Sequence, residues 1–207
     1  MKIRNVIFIH IPRTSGTNFE RCLGFEGHDK EPRCGSKNYG ANYKELMGWD
    51  KKTKTMLQHL TYKQMVERKY VDEDNDLIKI SIVRNPYDRI ISLYKYFGGK
   101  KKWESFEKFL NYVEDKGRNY YFYKPQFKYL EGHDFNLIKF ESFQQDLEVM
   151  NEKLDLDIKC DFDTKRHEGR DNSSYLTKEN LVKINEIYKN DFINYGYDFI
   201  RTSSKTL

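Results

Sequence analysis

The sequence predicts an α/β fold, an open, largely parallel sheet flanked by helices, formed by one domain over residues 1–201 with a tail at 202–207. Three observations predict it. Short apolar runs rich in β-branched residues alternate with longer segments of helical periodicity. The length of 207 residues suits one α/β core and leaves little room for a second. An apolar content of 38%, with 16 Tyr and 14 Phe, argues against general disorder.

The first 70 residues contain a predicted strand, two predicted helices and a long irregular segment between the helices. Val6–Ile11 is a continuous apolar run, typical of a strand buried on both faces of a parallel sheet. A helix is predicted to start near Gly16. Gly24–Thr55 has little periodicity and is predicted to be a long irregular insertion of the kind that shapes substrate sites. Thr61–Tyr70 has helical spacing, with Thr61 as a candidate N-cap.

The second half repeats the alternation of strand and helix. Leu77–Val83 is a second buried strand, and Pro86 fits the first turn of a helix that reaches about Phe97. Trp103–Val113 places its apolar residues on one face and predicts an amphipathic helix, and Asn136–Phe140 is a third strand. Two further helices are predicted near the C-terminus, over Ser142–Leu154 and Thr177–Asp191.

The charge balance limits the class of partner. The net charge is +5, from 37 Lys and Arg against 32 Asp and Glu. This mild excess is unlike the footprint of a dedicated nucleic-acid binder, and it fits a protein that handles small anions. The basic run Lys100–Lys102 follows two glycines and is predicted to be a solvated loop.

The cysteines and the apolar segments bear on localisation. Cys22, Cys34 and Cys160 are odd in number and widely separated, which predicts neither a metal site nor a disulfide framework and favours a reducing compartment. The apolar run near the N-terminus is too short for a signal-peptide core, and no stretch approaches the roughly 20 apolar residues of a membrane span. These features predict a soluble, cytoplasmic protein.

The stretch Ile9–Asn18 (IHIPRTSGTN) has the pattern of an anion-binding loop. A strand, a tight loop and a helix start together present backbone N–H groups and the positive end of a helix dipole. Gly16 allows an anion to approach the backbone closely, and the Arg13 guanidinium adds a positive charge with several N–H donors. The Gly-Lys-Ser/Thr ending of a nucleoside-triphosphate loop is absent. Further donors are the hydroxyl groups of Thr14, Ser15 and Thr17.

A second stretch, Ser81–Phe97, predicts a second phosphate site. Arg84 lies at the carboxyl end of a buried strand, where open α/β sheets bind their ligands. Ser92 lies two helical turns after Pro86, on a side that can face the same crevice. The alternative is a surface helix with an Arg–Asp pair.

Taken together, the two stretches resemble the sulfotransferases that use 3′-phosphoadenosine 5′-phosphosulfate (PAPS). Ile9–Asn18 matches the family's 5′-phosphosulfate loop, HIPKTGGT or PRSGTT, and Val83–Tyr94 (VRNPYDRIISLY) follows its 3′-phosphate motif, VRDPYERLVSxY. Leu137–Leu156 resembles the family's strand–Glu–helix segment, and His167–Tyr197 resembles its C-terminal segment. The branch with the greatest similarity contains the carbohydrate sulfotransferases, including the uronyl and heparan types.

The resemblance implies a P-loop-like sulfotransferase fold and in-line transfer of the sulfuryl group of PAPS to an acceptor hydroxyl, on a glycan or glycoconjugate, with adenosine 3′,5′-bisphosphate as product. No metal is implied. Many family members carry Lys where Arg13 stands, and because Arg does not readily give up a proton, Arg13 is assigned electrostatic stabilisation only. The implied cofactor-binding residues are Arg13, Thr14, Ser15, Gly16, Thr17, Asn18, Arg84, Ser92, Arg170 and Ser173.

An acceptor hydroxyl needs a general base, and His59 is the first candidate. Its segment, Met56–Met65 (MLQHLTYKQM), resembles a GHxxY-like segment of glycan sulfotransferases, with Gln58 in place of the Gly. The alternative is a packed histidine at a helix entry. Glu20 is the second candidate base, or a residue that only complements the helix dipole. Of the other histidines, His10 is expected in the interior or against a neighbouring loop, and His28 and His133 at the surface.

Two further segments are candidates for ligand contact. The resemblance implies that Lys165–Ser174 folds over the cofactor, where Arg170 and Ser173 would contact a phosphate; the alternative is a solvated loop. The neighbouring aromatic residues Tyr120–Tyr123 would form a platform for a sugar acceptor, or else pack in the core.

Two other function classes compete with a sulfotransferase. The first is a small P-loop-type nucleotide kinase, which the missing Gly-Lys-Ser/Thr and the lack of an Asp-ended apolar strand disfavour. The second is a non-catalytic nucleotide- or polyanion-binding module, which would keep Arg84 and Ser92 but would not need His59.

Overall fold

The computed structural model of the protein describes residues 1–32, 34, 36, 38–73, 76–117, 120–161 and 171–201. The chain divides into two compact units. Unit 1 comprises residues 1–83 and 128–164, and unit 2 comprises residues 84–127 and 165–207. The predicted tail at 202–207 lies outside the described residues, and a single domain over 1–201 stays a prediction.

Unit 1 contains the predicted sheet. The described strands are β1 Lys2–Ile3, β2 Val6–Ile9, β3 Trp49–Asp50, β4 Thr55–Met56, β5 Ile78–Val83 and β6 Asn136–Lys139. Four of them form one sheet in the order β1-β2-β5-β6. β2 pairs with β5, and β5 with β6, in parallel, whereas β1 is antiparallel to β2. The open, largely parallel sheet flanked by helices is therefore confirmed, with β2 ending at Ile9 rather than Ile11.

The helices confirm most of the predicted segments. They are α1 Gly16–Cys22, α2 Tyr62–Glu67, α3 Pro86–Tyr96, α4 Gly99–Trp103, α5 Phe106–Tyr112, α6 Phe127–Leu130, α7 Phe143–Leu154, α8 Lys178–Ile187 and α9 Lys189–Tyr195. In the part of the chain that the structure describes, four short segments of other helical types cover residues 57–59, 113–117, 140–142 and 173–175. Within the described residues, no helix has the length and the apolar character that crossing a membrane requires.

Three helix predictions need correction. The segment predicted as one helix, Trp103–Val113, is divided, because Glu104 has a left-handed backbone (φ 63°) and Ser105 caps a new helix, α5. The exposed run Lys100–Lys102 is helical, within α4, and is not a loop, because Gly98 takes a left-handed conformation (φ 95°) that starts a new helix. The segment predicted as one helix, Thr177–Asp191, breaks at Tyr188 (φ −112°, ψ 20°). Tyr188 is buried and its hydroxyl donates to the Tyr123 carbonyl at 2.9 Å, so tertiary contacts interrupt the helical periodicity.

The core of unit 1 lies against the parallel strands. Every residue of β2 is buried, as expected for a strand covered on both faces. The Phe8 ring lies 4.9 Å from that of Phe19 in α1, which in turn lies 6.1 Å from that of Phe143 in α7. This cluster fixes α1, and with it the loop that leads into α1, on the sheet.

The predicted insertion, Gly24–Thr55, is mostly irregular, as expected. It contains one short hairpin, in which β3 pairs with β4. The insertion also contributes to the core, since Phe25 and Met47 are buried in the unit 1 cluster. It is therefore a packed part of unit 1.

The prediction that the cysteines form no disulfide is wrong, because Cys22 and Cys160 are bonded with their Cα atoms 5.2 Å apart. Cys22 ends α1 and Cys160 follows α7, and both pack against the unit 1 cluster, which brings together residues separated by 138 positions. Spacing along the chain carries no signal for such a pair. Cys34 is free and buried, and its thiol donates to Gln58 Oε1 at 3.2 Å.

Unit 2 has an aromatic core of its own. Tyr87 and Tyr94 of α3 pack against Phe192 and Phe109 at ring distances of 4.8 and 5.6 Å. Buried aliphatic residues of α3, α5 and α8 complete the cluster, which includes Ile91, Leu110 and Ile184. The core holds α3, the helix of the predicted 3′-phosphate motif, as a rigid element.

Candidate functional site

The loop between β2 and α1, residues 10–15, is here called the anion loop. Arg13 and Ser15 have left-handed backbones (φ 70° and 73°) on either side of Thr14. Alternation of this kind turns successive N–H groups toward one concave side, as in anion-binding nests. The buried Thr14 hydroxyl donates to the Ile11 carbonyl at 2.8 Å, so this hydroxyl is engaged within the loop and stabilises its conformation.

The close approach of the His10 ring explains why the first residue of α1, Gly16, has no side chain. A Cβ atom at position 16 would lie 2.2 Å from Cδ2 of the His10 ring, which real contacts do not allow. The first turn of α1 also carries no acidic residue that would compete with an anion at the helix start. Glycine at this position therefore lets the helix start approach the buried imidazole of His10.

Behind the anion loop, Glu20 lies fully buried between two histidines. Its Oε1 is 2.9 Å from His10 Nδ1 and its Oε2 is 2.7 Å from His28 Nε2. Burial alone would raise the pKa of Glu20, but the charge of His10 and the hydrogen bonds from both histidines outweigh it and hold the pKa below its usual range. Both carboxylate oxygens are thus engaged inside the protein; a role of Glu20 as base stays a prediction.

His28 corrects another prediction. The sequence predicts His28 at the surface, but the structure buries it, with 9% of its surface exposed. Its ring reaches the Glu20 carboxylate and packs on the Phe25 ring at 5.1 Å. The other expected surface histidine, His133, is partly buried, with its ring 4.4 Å from that of Tyr62.

His59 lies beside the anion loop. Its Nδ1 is 3.0 Å from the carbonyl oxygen of His10, the first residue of the loop, and the two rings meet edge to face at 4.6 Å. A carbonyl only accepts, so Nδ1 carries the hydrogen and Nε2 carries the lone pair. Burial, followed by the charge of His10, lowers the pKa of His59 to about 3. The imidazole is therefore neutral at physiological pH, the form that accepts a proton.

The segment around His59 is fixed on both sides. Gln58, its neighbour, is buried and accepts from Cys34. Two residues after His59, Thr61 starts α2 with a capping box: Thr61 Oγ1 accepts from the Gln64 N–H at 3.2 Å, and Gln64 Oε1 accepts from the Thr61 N–H at 3.0 Å. The predicted N-cap is confirmed.

In unit 2, Arg84 lies just before the start of α3, and Ser92 lies within this helix. Asn85 caps α3, accepting from the Tyr87 N–H at 3.0 Å, and Pro86 occupies the first turn as expected. Ser92 shares a helix face with Asp88 and Lys95, which lie four residues before it and three after it. Arg84 and Ser92 are both partly buried.

Asn172 brings the segment with Ser173 to that face of α3. Its side-chain amide donates to Asp88 Oδ1 and accepts from Lys95 Nζ, both at 2.9 Å. Because Asp88 and Lys95 flank Ser92, the segment that carries Ser173 lies over the part of α3 that carries Ser92. Arg170, the other residue predicted in this segment, lies outside the described residues.

The predicted site residues thus fall into two groups. Unit 1 holds His59, Glu20 and the residues at 13–18, and unit 2 holds Arg84, Ser92 and Ser173. The contacts of His28 and Asn172 could not be predicted, because their partners lie on other segments and no periodicity or motif links them. In the described ranges, no three His, Cys, Asp or Glu side chains are placed to hold a metal ion.

The aromatic segment after residue 119 is divided between surface and core. Tyr120 is 42% exposed, whereas Tyr123 is 3% exposed and belongs to the core of unit 2. The rings of Tyr121 and Phe122, both partly buried, lie 4.5 Å apart. Because Tyr123 is buried, its ring is not accessible to a sugar, and the predicted acceptor platform is limited to residues 120–122.

Of the comparisons with known proteins, only the comparison with family models finds a match. No curated protein and no solved structure matches the chain. The model of the Sulfotransferase family matches residues 2–198, a range that includes the anion loop, His59 and the Arg84–Ser92 motif. The match does not favour a kinase or a non-catalytic module. Because it covers nearly the whole chain, the protein belongs to the sulfotransferase family, whose enzymes use PAPS as the sulfuryl donor.

Proposed function

We propose that the protein transfers the sulfuryl group of PAPS to a hydroxyl group of a glycan or glycoconjugate. The observation that carries the proposal is the hydrogen bond between His59 Nδ1 and the His10 carbonyl, 3.0 Å long. It sets the lone pair of a neutral imidazole on Nε2, directly beside the loop that the family uses for the phosphosulfate.

Each unit, taken by itself, holds residues that suit one phosphate group of such a donor. In unit 1, the left-handed residues Arg13 and Ser15 shape the anion loop, and the start of α1 has no acidic side chain. PAPS, when bound, supplies an activated sulfuryl group on a nucleotide leaving group. The Arg13 guanidinium would stabilise negative charge that grows on the leaving oxygen, without moving a proton. In unit 2, Arg84, Ser92 and Ser173 would hold the 3′-phosphate.

His59 would take the proton of the acceptor hydroxyl. The pKa of His59, about 3, means that the imidazole is unprotonated at physiological pH and its lone pair is available, although so low a pKa also makes it a weak base. His10 holds the tautomer through its carbonyl, and the capping box of Thr61 fixes the chain two residues further on. Glu20 would support the site from behind as the buried partner of His10.

A glycan is the acceptor that the exposed aromatic rings favour. Tyr120 is 42% exposed, and the Tyr120 ring lies 4.7 Å from that of Tyr121. Sugar rings stack on such surfaces through their apolar faces, with hydroxyl groups left for hydrogen bonds. Replacing Tyr120 with Ala should raise KM for a glycan acceptor and leave donor binding unchanged.

Calorimetry tests the donor site. We expect adenosine 3′,5′-bisphosphate to bind more tightly than 5′-AMP, and Arg84→Ala to remove the difference, because the 3′-phosphate is what Arg84 would contact. Lys108→Ala, at an exposed position elsewhere in unit 2, is the control. Equal affinity for the two nucleotides in the unaltered protein would argue against PAPS as the donor.

Sulfuryl transfer to a panel of glycans tests the base. His59→Ala should lower kcat by about 10²–10⁴-fold while donor affinity stays, with Lys63→Ala, at an exposed position of α2, as the control. Because only the neutral imidazole accepts a proton and the pKa of His59 is about 3, kcat/KM should show no acid limb near pH 6.5, where an ordinary histidine titrates. Full activity of the Ala variant would exclude His59 as the base.

A further inference from the structure

The main chain of Arg84 is held by one side chain, that of Gln126. The Arg84 N–H donates to Gln126 Oε1 at 2.9 Å, and Gln126 Nε2 donates to the Arg84 carbonyl at 2.8 Å. Because one contact needs an acceptor and the other a donor, they fix the orientation of the amide. Arg84 directly follows β5, so the amide satisfies both main-chain groups at the point where the strand ends.

Gln126 is in turn held by Asp191 of α9. The Gln126 and Phe127 N–H groups donate to the two oxygens of the Asp191 carboxylate at 2.8 and 2.9 Å. Gln126 and Asp191 are both fully buried. The carboxylate therefore caps the start of α6 and anchors the backbone from which Gln126 reaches Arg84.

The charge of Asp191 has a buried counterpart in Arg89 of α3. Arg89 is 1% exposed and its Nη2 donates to the Phe122 carbonyl at 3.0 Å. Burial raises the pKa of Asp191 to about 6, with the charge of Arg89 and the N–H donors opposing the rise. At pH 7 the carboxylate is ionised and accepts from both N–H groups. The whole arrangement lies within unit 2.

We propose that Gln126, anchored by Asp191, is the positioning residue that sets Arg84 for selection of the 3′-phosphate; this rests on the proposed function. Fixing both main-chain groups of Arg84 fixes the direction in which its side chain leaves the backbone. A guanidinium recognises phosphate through directed hydrogen bonds, so a small displacement of its origin weakens the contact strongly. Neither Gln126 nor Asp191 needs to touch the nucleotide.

The test is the ratio of the Kd of 5′-AMP to that of adenosine 3′,5′-bisphosphate, measured by calorimetry on the full chain. Gln126→Met keeps the length and volume of the side chain but removes both hydrogen bonds to Arg84. We expect the ratio to fall at least about tenfold, with the affinity for 5′-AMP unchanged. Gln144→Met, at an exposed position of α7, is the matched control and should leave the ratio as it is.

A double-mutant cycle separates positioning from general damage. If Gln126 acts through Arg84, Gln126→Met should change the ratio no further in an Arg84→Ala background. A merely structural loss would instead weaken both nucleotides alike. If the Met variant does not fold, the same ratio is measured on Gln126→Asn, which keeps the amide group but is too short to reach Arg84.

The outcomes distinguish the two proposals. An unaltered protein that prefers the 3′-phosphate, together with Gln126 variants that keep the full preference, would overturn the role of Gln126 and leave the proposed function standing. An unaltered protein without that preference would overturn both.

Discussion

His10 makes three different contacts at the anion loop. Its ring fills the space next to Gly16, its Nδ1 pairs with the buried Glu20, and its carbonyl accepts from His59. One residue thus connects the start of α1, the carboxylate behind the loop and the proposed base. At the residue scale, the geometry of the site in unit 1 therefore depends on the position of this single residue, through both its ring and its carbonyl.

Gly16→Ala should be destabilising. The new Cβ atom would lie 2.2 Å from the His10 ring, so either the ring or the helix start must move. We expect a loss of about 1–3 kcal/mol in the free energy of unfolding, measured by urea denaturation. Gly40→Ala is the control, because a Cβ atom there meets nothing within 4 Å. Equal stability of the two variants would contradict the close packing of His10 on Gly16.

At the scale of elements, the short helix α2 follows the proposed base, and a side-chain cap defines where this helix begins. α2 spans only Tyr62–Glu67 and follows His59 closely. Helices this short are marginal in water by themselves, so the capping box of Thr61 and Gln64 and the burial of Tyr62 and Met65 hold this one. The cap therefore stabilises both the helix and the segment that presents the base.

Thr61→Ala should cost about 1 kcal/mol of folding free energy, because it removes the acceptor of the Gln64 N–H. Thr61→Ser keeps a hydroxyl group and should recover most of the loss. Lys63→Ala changes an exposed residue of the same helix and serves as the control. Thermal unfolding followed by circular dichroism gives the comparison, and an Ala variant as stable as the Ser variant would speak against the cap.

At the scale of the whole molecule, the Cys22–Cys160 disulfide ties α1 to the segment after α7 within unit 1. It closes a loop of 138 positions, so in the chain-entropy account it strongly limits the unfolded state. Disulfides persist mainly in oxidising compartments. The disulfide therefore removes the cysteine argument for a reducing compartment, and a cytoplasmic location stays a prediction without that support.

Reduction should lower the stability of the protein. We expect dithiothreitol, or the double replacement Cys22→Ser and Cys160→Ser, to reduce the free energy of unfolding by about 2–5 kcal/mol. The double variant should no longer respond to dithiothreitol, which serves as the internal control. The same denaturation midpoint for the unaltered protein with and without the reductant would show that the disulfide does not form.

The sequence was sufficient to predict the parallel strands, the loop between β2 and α1, the cap at Thr61 and the helix start at Pro86. These features depend on local signals, since apolar periodicity, capping residues and Pro or Gly positions act over a few neighbouring residues. The match to the sulfotransferase family confirms the identity that the two phosphate motifs indicated. The predicted ends of the elements were less accurate. For example, β2 ends at Ile9, two residues before the predicted end at Ile11.

Only the tertiary structure decided the contacts between distant segments. It paired Cys22 with Cys160, buried His28 against Glu20, broke the last helix at Tyr188 and joined Gln126 to Arg84 and Asp191. Each of these contacts depends on how elements pack, and packing is set by the shape of the whole core rather than by any short pattern. Local chemistry therefore determined the elements and the loop, and packing determined which side chains meet.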